Sequence, residues 1–388
     1  MTTRNAGPVI TGRGMHVPAD VLTNEDVAGL AAPERLAAWI AENRWCRDRI
    51  GDGCTLALHR RLFADYVRER IGIETRHVVD RAALLSGCQP VDGPFGSDLG
   101  ARAAEAALAE AGIAARDLDV VICGTSTPDR IYPATAVEIQ HRLGASRAYG
   151  YDLLAACSSF VYGLEMARAL LLGGLCRRAL VVAAEYFSCG VDYGDPNSSF
   201  FWGDAGAAAV VEAPDLARGK GGYEILDVCC RSALSRNIRT GLGGTRAFTA
   251  AAANGHLPPS EREPGGAAYP FFYQNGPVVY REVVPMAVAV TRDLLARAEL
   301  SAEGVRVFMF HQASALVLDG IKKRLFAGDP GPGRVPLNLT RYGNTSSCGA
   351  AICLAEESAM EPGEVACMTA FGAGYTAAAA LLRRVASS

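Results

Sequence analysis

Three side chains with chemistry suited to covalent catalysis stand where apolar strands are expected to end. Cys157 lies where a strand meets a helical pattern, in the segment DLLAACSSF, and His311 follows the apolar run VRVFMF. Asn344 follows Gly343, which permits a tight turn, and opens another helical pattern. At a helix N-terminus the dipole and the free N–H groups favour a thiolate, so we expect a lowered pKa for Cys157. A thiolate is a nucleophile for acyl transfer.

Each of these residues also has an ordinary structural interpretation when it is taken alone. A cysteine in an apolar run usually packs as a small hydrophobic side chain, and a histidine at a strand end is usually structural. An asparagine at a helix start is usually an N-cap. A fourth segment, Ala370–Tyr375, has small residues after a strand, whose N–H groups either hold a developing oxyanion or form a plain turn.

The chain repeats itself with an offset of 187 residues, which takes Cys157 to Asn344 and Gly124 to His311. Helical and strand patterns match at the same offset, in the pairs 101–112 with 288–299, 118–123 with 305–310, and 179–184 with 366–371. Several segments in one register indicate a duplicated βαβα unit and therefore two similar domains packed together. Because sites form at the carboxyl ends of strands in such sheets, we expect Cys157, His311 and Asn344 to meet.

The duplication predicts an α/β protein with two halves, 1–213 and 221–388, joined by a Pro- and Gly-containing stretch. The first half carries the cysteine, and the second half carries the histidine and the asparagine. Two stretches have no counterpart in the repeat. One is about 30–62, with amphipathic helical spacing, and the other is about 232–276, rich in Gly, Pro and Ala. Such insertions usually become caps or lids over a site.

Charge, hydropathy and cysteine usage exclude several classes of function. The 388 residues carry a net charge of −3, so the chain lacks the broad basic field that binds nucleic acid. The sequence shows neither a signal-peptide pattern nor an apolar stretch long enough to span a bilayer, which favours the cytoplasm and no membrane partner. The twelve cysteines include no CxxC pair, so we expect neither a metal site nor a disulfide framework.

Four motifs in this order, AACSSF, FHQAS, YGNTSS and AFGAGYT, resemble those of the ketoacyl synthase III family within the thiolase-like superfamily. The resemblance covers about 8–27 and 63–384, apart from the second insertion. It implies a thiolase-like fold, in which the two duplicated halves pack in a layered α/β/α/β/α arrangement. Polyketide synthases of the chalcone type share the cysteine, histidine and asparagine, but AFGAGYT fits ketoacyl synthase III better.

The resemblance implies a role for each motif residue. Cys157 would accept the acyl group, while His311 and Asn344 would polarise the incoming thioester carbonyl and stabilise the enolate left by decarboxylation. The backbone N–H groups of Cys157 and Ala373 would form the oxyanion hole, and Phe371 would pack near the cysteine. The substrates would be thioesters of coenzyme A or an acyl carrier protein, with no cofactor.

The resemblance also implies a homodimer, in which the loop with Tyr132 reaches into the acyl pocket of the partner. The substrate-binding positions depart from the family pattern. Tyr66 replaces a tryptophan that stacks on the coenzyme A adenine, and no arginine partner is found near 195–199. Ser314 replaces an asparagine, whereas Arg70 matches. Further replacements are Leu316 for a basic residue and Pro277 for an asparagine. These changes favour a specialised fatty-acid or polyketide-type pathway over a housekeeping role with acetyl-CoA.

Three functions remain open from the sequence. The first is decarboxylative Claisen condensation through an acyl-cysteine, which the presence of both His311 and Asn344 favours. The second is transfer of the acyl group to an alcohol or amine without condensation. The third is a non-catalytic partner subunit of another synthase, which the retained Cys157 disfavours. The basic residues Lys322–Arg324 and Arg70 favour an acyl carrier protein as the donor of at least one substrate.

Overall fold

A computed structural model describes residues 6–51, 55–86, 93–240, 271–331 and 333–387, and a nine-stranded mixed sheet dominates it. The described strands are β1 (Val9–His16), β2 (Asp20–Thr23), β3 (Thr75–Val78), β4 (Val120–Gly124), β5 (Tyr149–Leu153), β6 (Arg178–Glu185), β7 (Ala205–Glu212), β8 (Gly222–Ser232), β9 (Ile238–Arg239), β10 (Tyr273–Gln274), β11 (Val307–Phe310), β12 (Val365–Gly372) and β13 (Thr376–Val385). The large sheet has the order β11-β12-β13-β8-β1-β7-β6-β4-β5. The pairs β2–β3 and β9–β10 lie outside it.

Helices connect most of these strands, as the alternating sequence pattern predicts. The described α-helices are α1 (Asn24–Leu30), α2 (Pro33–Glu42), α3 (Arg44–Arg47), α4 (Leu56–Tyr66), α5 (Arg81–Leu85), α6 (Gly96–Ala111), α7 (Thr135–Leu143), α8 (Ser159–Leu172), α9 (Gly276–Arg297), α10 (Ala315–Leu325), α11 (Leu339–Tyr342) and α12 (Cys348–Glu356). A π-helical turn at Val67–Ile71 continues α4. Within the described ranges, no helix is long and apolar enough to cross a membrane.

The two halves of the large sheet follow the repeat that the sequence contains. β4 pairs in parallel with β6, and β11 pairs in parallel with β12, 187 residues further along. The next strand of each half is antiparallel, so β6 pairs with β7 and β12 with β13. β1 and β8 join the halves through a short antiparallel contact at Val9–Ile10. β7 ends just before the predicted linker and β8 begins just after it, and the domain boundaries at 213 and 221 stay a prediction.

The helices form three layers, which alternate with the two halves of this sheet. α6 and α7 cover the first half through an Ala-rich core, and α9 and α10 cover the second half. α8 and α12 lie between the halves, because both pack into one core that contains strands of each half. This is the predicted α/β/α/β/α arrangement, and it brings the N-termini of α8 and α12 toward the same region of the molecule.

The first insertion, about 30–62, forms α2, α3 and much of α4, in agreement with its amphipathic spacing. Its core includes Trp39, whose ring packs edge-on against Phe63 with centroids 5.4 Å apart. Phe63 in turn contacts Phe200 at 5.8 Å, so the insertion packs on the loop that precedes β7. Of the second insertion, residues 241–270 lie outside the described residues, and its described ends contribute β9 and β10.

Candidate active site

The chain turns sharply at Cys157, between the end of β5 and the start of α8. A short 3-10 turn at Ala156–Ser158 makes the connection. Ala156 has a φ of 48°, a left-handed conformation that few residues other than glycine adopt. The Ser159 hydroxyl holds the turn, because it accepts from the Ala155 N–H at 2.8 Å and donates to the Ala156 carbonyl at 2.7 Å. The strand-to-helix elbow expected from the sequence is present, with Cys157 in its turn.

The electrostatic surroundings of Cys157 differ from the sequence expectation. Burial raises the pKa of Cys157 to about 12, and a hydrogen bond from Ser346 opposes this only in part. The nearby carboxylate of Glu185 also pushes this pKa upward. The expectation of a lowered pKa is therefore wrong. The cost of desolvating a thiolate outweighs the favourable position at the start of α8.

His311 follows β11 and is held by the neighbouring strand. Its backbone N–H donates to the Thr369 carbonyl at 2.8 Å, and its ring packs edge-on against Phe371 with centroids 5.2 Å apart. Burial lowers the pKa of His311 to about 3, although a hydrogen bond with the Ser346 backbone acts in the opposite direction. The imidazole is therefore neutral near pH 7. Among the described residues its Nδ1 has no hydrogen-bond partner.

Asn344 is held by a tight turn, and this turn requires glycine at the preceding position. Gly343 has a φ of 67°, and a Cβ there would lie 2.8 Å from the Phe201 carbonyl oxygen. The Asn344 N–H donates to that carbonyl at 2.7 Å, and the Asn344 carbonyl accepts from the Gly203 N–H at 3.1 Å. The side-chain Oδ1 accepts from the Ser346 N–H at 2.9 Å. This contact orients the amide so that Nδ2 is the group available to donate to a ligand.

One cavity of about 590 Å³ brings the three predicted residues together, since Cys157, His311 and Asn344 all line it. Phe371 lines it as well, next to the His311 ring. The remaining wall is largely aromatic and aliphatic, with contributions from Ile71, Phe200, Trp202, Phe272 and Val283. Such a cavity, apolar with a few convergent polar groups, is typical of a binding site for a small molecule or a cofactor arm.

Two predicted substrate-binding residues lie at the same cavity. Tyr66 lines it and packs edge-on against Trp39 at 5.1 Å and Trp45 at 5.8 Å. Ser314 also lines it, and its hydroxyl caps α10 by accepting from the Val317 N–H at 3.3 Å. The first insertion therefore surrounds Tyr66 with indole rings.

Three other predicted residues lie outside the lining of this cavity. Arg70 is exposed on the π-helical turn, one turn beyond Tyr66. Tyr132 is 82% exposed on a loop, so its place in a partner's pocket stays a prediction. Ala373 follows Gly372, which does line the cavity. The oxyanion hole of Cys157 and Ala373 also stays a prediction.

Gly372 approaches the cysteine so closely that a side chain there should disturb the site. A Cβ at Gly372 would lie 2.7 Å from the Cys157 backbone nitrogen and 3.0 Å from its Cβ. We expect Gly372→Ala to destabilise the fold by about 1–3 kcal/mol, as overpacking typically does, and to slow acyl loading. Urea unfolding and intact-protein mass measure the two effects. Gly328→Ala is the matched control, since nothing lies within 4 Å of its Cβ position, and equal loading by both variants would contradict the expectation.

Sequence reasoning missed four residues that the structure places at or beside the site. Trp39 and Asn43 of the first insertion line the cavity, and amphipathic spacing gave no sign of which face they occupy. Ser346 lies in the YGNTSS motif, and its hydroxyl is 3.5 Å from the Cys157 sulfur. Glu185 is fully buried at the end of β6, where an acidic residue after an apolar run was the available signal.

The site contains no recognisable metal centre within the described ranges, because no group of three or more His, Cys, Asp or Glu side chains converges there. All ten described cysteines are free thiols. The groups that face the apolar cavity include a buried thiol, a neutral imidazole and a carboxamide.

Comparisons with known proteins identify the family of this chain. Residues 151–233 match the family model for 3-oxoacyl-[acyl-carrier-protein (ACP)] synthase III, and residues 295–384 match the model for its C-terminal part. The β-ketoacyl-[acyl-carrier-protein] synthase III of Roseiflexus castenholzii is 33% identical over 382 residues, covering 96% of this chain and 97% of that protein. The protein of the same name from Symbiobacterium thermophilum is 33% identical over 377 residues, covering 96% of this chain and 97% of that protein.

Solved structures give the same result. The crystal structure of β-ketoacyl-[acyl carrier protein] synthase III from Thermus thermophilus has a TM-score of 0.74 at 28% identity, covering 98% of this chain and 100% of that one. The priming β-ketosynthase of the R1128 polyketide pathway has a TM-score of 0.75 at 25% identity, covering 100% and 99%. Enzymes of this family act on acyl carrier protein and coenzyme A thioesters without a cofactor. The chain has the thiolase-like fold and belongs to the ketoacyl synthase III family of condensing enzymes.

Proposed function

We propose that this protein catalyses decarboxylative Claisen condensation of acyl thioesters through an acyl group carried on Cys157. The observation that supports this most strongly is the shared cavity, which Cys157, His311 and Asn344 line together. A nucleophile and two polarising groups at one apolar site are the components that the reaction needs.

In the first half of the reaction, Cys157 attacks the thioester carbonyl and the carrier thiol leaves. Negative charge develops on the carbonyl oxygen during this step. We assign the backbone N–H groups of Cys157 and Ala373 as donors to that oxygen, which preorganised donors in a water-poor site stabilise effectively. A Cβ added to Gly372 would lie 2.7 Å from the Cys157 backbone nitrogen, so the segment that leads to Ala373 runs close to Cys157. This proximity supports the assignment of both N–H groups to one oxygen.

In the second half, a malonyl-type thioester loses CO₂ and its enolate attacks the acyl-cysteine. His311 and Asn344 donate to the thioester oxygen, on which charge accumulates as the C–C bond to the carboxylate breaks. Burial keeps His311 neutral, with a pKa of about 3, so it acts as a hydrogen-bond donor rather than as an acid. The contact between Asn344 Oδ1 and the Ser346 N–H leaves Nδ2 to serve as the second donor.

The cavity wall supports a specialised pathway. Tyr66, Leu316 and Pro277, which depart from the family pattern, all line it. Trp39 and Asn43 of the first insertion line it too. These residues change the surface that a coenzyme A or carrier arm meets while the reacting groups are retained.

A second candidate function is transfer of the acyl group to the hydroxyl or amine of a small molecule. The aromatic wall favours it, because Trp39, Tyr66 and Phe200 could pack against an apolar acceptor in place of a second carrier arm. The two candidates share acyl-Cys157 and differ in the next step. Release of CO₂ from a malonyl-type thioester marks condensation, whereas product formed without CO₂ release marks acyl transfer to oxygen or nitrogen.

The proposed function is tested by intact-protein mass spectrometry after incubation with a panel of acyl thioesters. The expected result is a single covalent adduct whose mass identifies the acyl group. Addition of malonyl thioester labelled in its free carboxylate should then release labelled CO₂ and discharge the adduct. A protein that forms no adduct with any thioester, on coenzyme A or on an acyl carrier protein, would contradict the proposal.

We also propose a homodimer, supported by a group of apolar side chains on the outer surface of the first half. Ile131, Tyr132 and Leu154 are between 69% and 82% exposed, and burial against a second copy would remove this apolar surface from water. Sedimentation equilibrium measures the assembly, and a monomer at micromolar concentration would contradict it.

The donor is expected to be an acyl carrier protein rather than free coenzyme A, at least for one substrate. Lys322 pairs with Asp319 at 2.7 Å, so Lys323 is the more available charge of the predicted basic run. We expect Lys323→Glu to lower kcat/KM for the carrier-bound acyl group several-fold at low salt and less at high salt, since long-range attraction to an acidic carrier is screened. Reversal at the exposed Arg116 of the first half controls for net charge. A preference for the coenzyme A thioester, or an unchanged carrier rate in Lys323→Glu, would contradict this expectation.

A further inference from the structure

Arg76 of β3 is completely buried, yet its guanidinium stays charged near pH 7, because burial lowers its pKa only to about 10. Its Nη2 donates to Asn24 Oδ1 at 2.7 Å and to the Phe200 carbonyl at 2.9 Å, and its Nη1 donates to the Leu22 carbonyl at 3.4 Å. Each of these acceptors is a neutral oxygen, and a buried charge with neutral partners is costly. The hydrogen bond to Phe200 connects this charge to the active site.

The segment that begins at Phe200 holds the backbone of Asn344 on both sides. The Phe201 carbonyl accepts from the Asn344 N–H at 2.7 Å, and the Gly203 N–H donates to the Asn344 carbonyl at 3.1 Å. Together these bonds form a parallel bridge between Trp202 and Asn344. The guanidinium therefore holds this segment one residue before the bridge begins.

The first carbon of the Arg76 side chain lies against both segments of the bridge. A Cβ added to Gly203 would lie 3.4 Å from the Arg76 Cβ, and a Cβ added to Gly343 would lie 3.1 Å from it. The two segments also touch each other, because the same added Cβ at Gly203 would lie 2.1 Å from the Tyr342 carbonyl oxygen. Close packing of this kind leaves little room for either segment to shift independently of Arg76.

We propose that Arg76 is a positioning residue for Asn344, which it holds in place through the segment 200–203. This inference rests on the condensation proposed above, in which Asn344 Nδ2 donates to the oxygen that becomes the enolate. Arg76 is fully buried, so it acts through Asn344 rather than on the substrate. Its hydrogen bonds and its packing fix the backbone from which the carboxamide projects.

The rate of decarboxylation in Arg76→Met tests this role. In protein already acylated on Cys157, we expect CO₂ release from a malonyl thioester to slow by about 10-fold to 10²-fold, the scale for a misplaced reacting group. The loss should appear in kcat rather than in KM, because Asn344 donates to charge that develops only in the transition state. Acyl loading should change far less. In an Asn344→Ala background, Arg76→Met should cause little further loss, since both changes remove one interaction.

Two further variants separate positioning from packing. Arg76→Lys keeps a charged donor and should retain more decarboxylation than Arg76→Met. If Arg76 only filled space, the order would reverse, because an apolar side chain avoids the cost of a buried charge. Arg13→Met is the matched control, since the Arg13 guanidinium also donates to two backbone carbonyls, those of Leu354 at 3.0 Å and Glu357 at 2.7 Å. It should lower stability in urea and leave the ratio of decarboxylation to loading unchanged.

Hydrogen exchange supplies a readout that needs no substrate. The Asn344 and Gly203 amides form the bridge, so Arg76→Met should make their exchange at least about tenfold faster through local opening. Arg13→Met should leave the exchange of both amides as it is in the unmodified protein. If the unmodified protein releases no CO₂, the proposed function fails, but these amides still decide whether Arg76 holds Asn344.

Four results would overturn the positioning role. The first is unchanged exchange at both amides in Arg76→Met. The second is an equal slowing of loading and decarboxylation, which would assign Arg76 to the fold or to the cavity wall. The third is a full additional loss when Arg76→Met is combined with Asn344→Ala. The fourth is failure of both Arg76→Met and Arg76→Lys to fold, which would assign the residue to stability alone.

Discussion

Cys157→Ala is expected to abolish covalent acyl loading, with no adduct detectable by intact-protein mass under conditions in which the unmodified protein is fully loaded. Among the described residues that line the cavity, Cys157 carries the only sulfur, and the substitution removes it. Alanine leaves the elbow intact, because the hydrogen bonds that hold it come from Ser159 and from backbone groups. Loss of loading therefore reports on the nucleophile rather than on the fold.

The chain offers a matched control for this result. Cys230 of β8 is more exposed than Cys157 and is also a free thiol. Non-specific acylation would favour the more exposed sulfur, so Cys230→Ala should load to completion while Cys157→Ala stays unmodified. An adduct that persists in Cys157→Ala and disappears in Cys230→Ala would reassign the nucleophile and remove the basis of the proposed reaction.

The sequence was sufficient to predict a duplicated α/β organisation because its strongest signal is a repeat. The offset of 187 residues makes β11 the counterpart of β4 and β12 the counterpart of β6. Counterpart strands occupy matching places in the two halves of the sheet. Unbroken apolar runs at these positions leave little choice but a buried parallel arrangement. The same offset makes Asn344 the counterpart of Cys157 in the repeat, and both residues line the same cavity.

The ionisation of the site could not be predicted in the same way. A cysteine at a helix start indicates a lowered pKa, yet Cys157 has a pKa of about 12 because burial dominates. Burial depends on which segments cover the turn, and these include Gly372 from the other half and Ser346 from the asparagine turn. Such contacts join residues about 190 positions or more apart, and no local pattern carries them.

The residues that form the cavity wall could not be predicted from local sequence patterns either. Amphipathic spacing in 30–62 indicated helices but not that Trp39 would line the cavity beside Tyr66. The sequence did not single out Glu185 at the end of an apolar run, and only the structure brings Ser126, Thr127 and Ser347 around it. The sequence does not predict the position of a side chain at the site when that position depends on contacts with residues distant in the chain.

His311→Ala and Asn344→Ala are expected to spare acyl loading and to slow decarboxylation by about 10²–10³-fold each. Each variant removes one donor to the oxygen on which enolate charge develops, and this is the usual loss for one oxyanion-hole donor. The readout is labelled CO₂ released from a malonyl thioester by the pre-acylated protein. Because His311 is neutral with a pKa of about 3, it does not change charge between pH 5.5 and 8, and its titration should leave no limb in the pH profile of that step.

Asn344→Asp separates the donor role from the structural role of this side chain. An aspartate keeps an oxygen that can accept from the Ser346 N–H, as Asn344 Oδ1 does at 2.9 Å, but it replaces the Nδ2 donor with a second oxygen. Decarboxylation should fall at least as far as in Asn344→Ala, since a negative charge then faces the developing enolate. Undiminished CO₂ release in the alanine variants would reject the donor role. If the unmodified protein releases no CO₂ and still forms product, acyl transfer to oxygen or nitrogen replaces condensation, because only condensation requires that the carboxylate be lost.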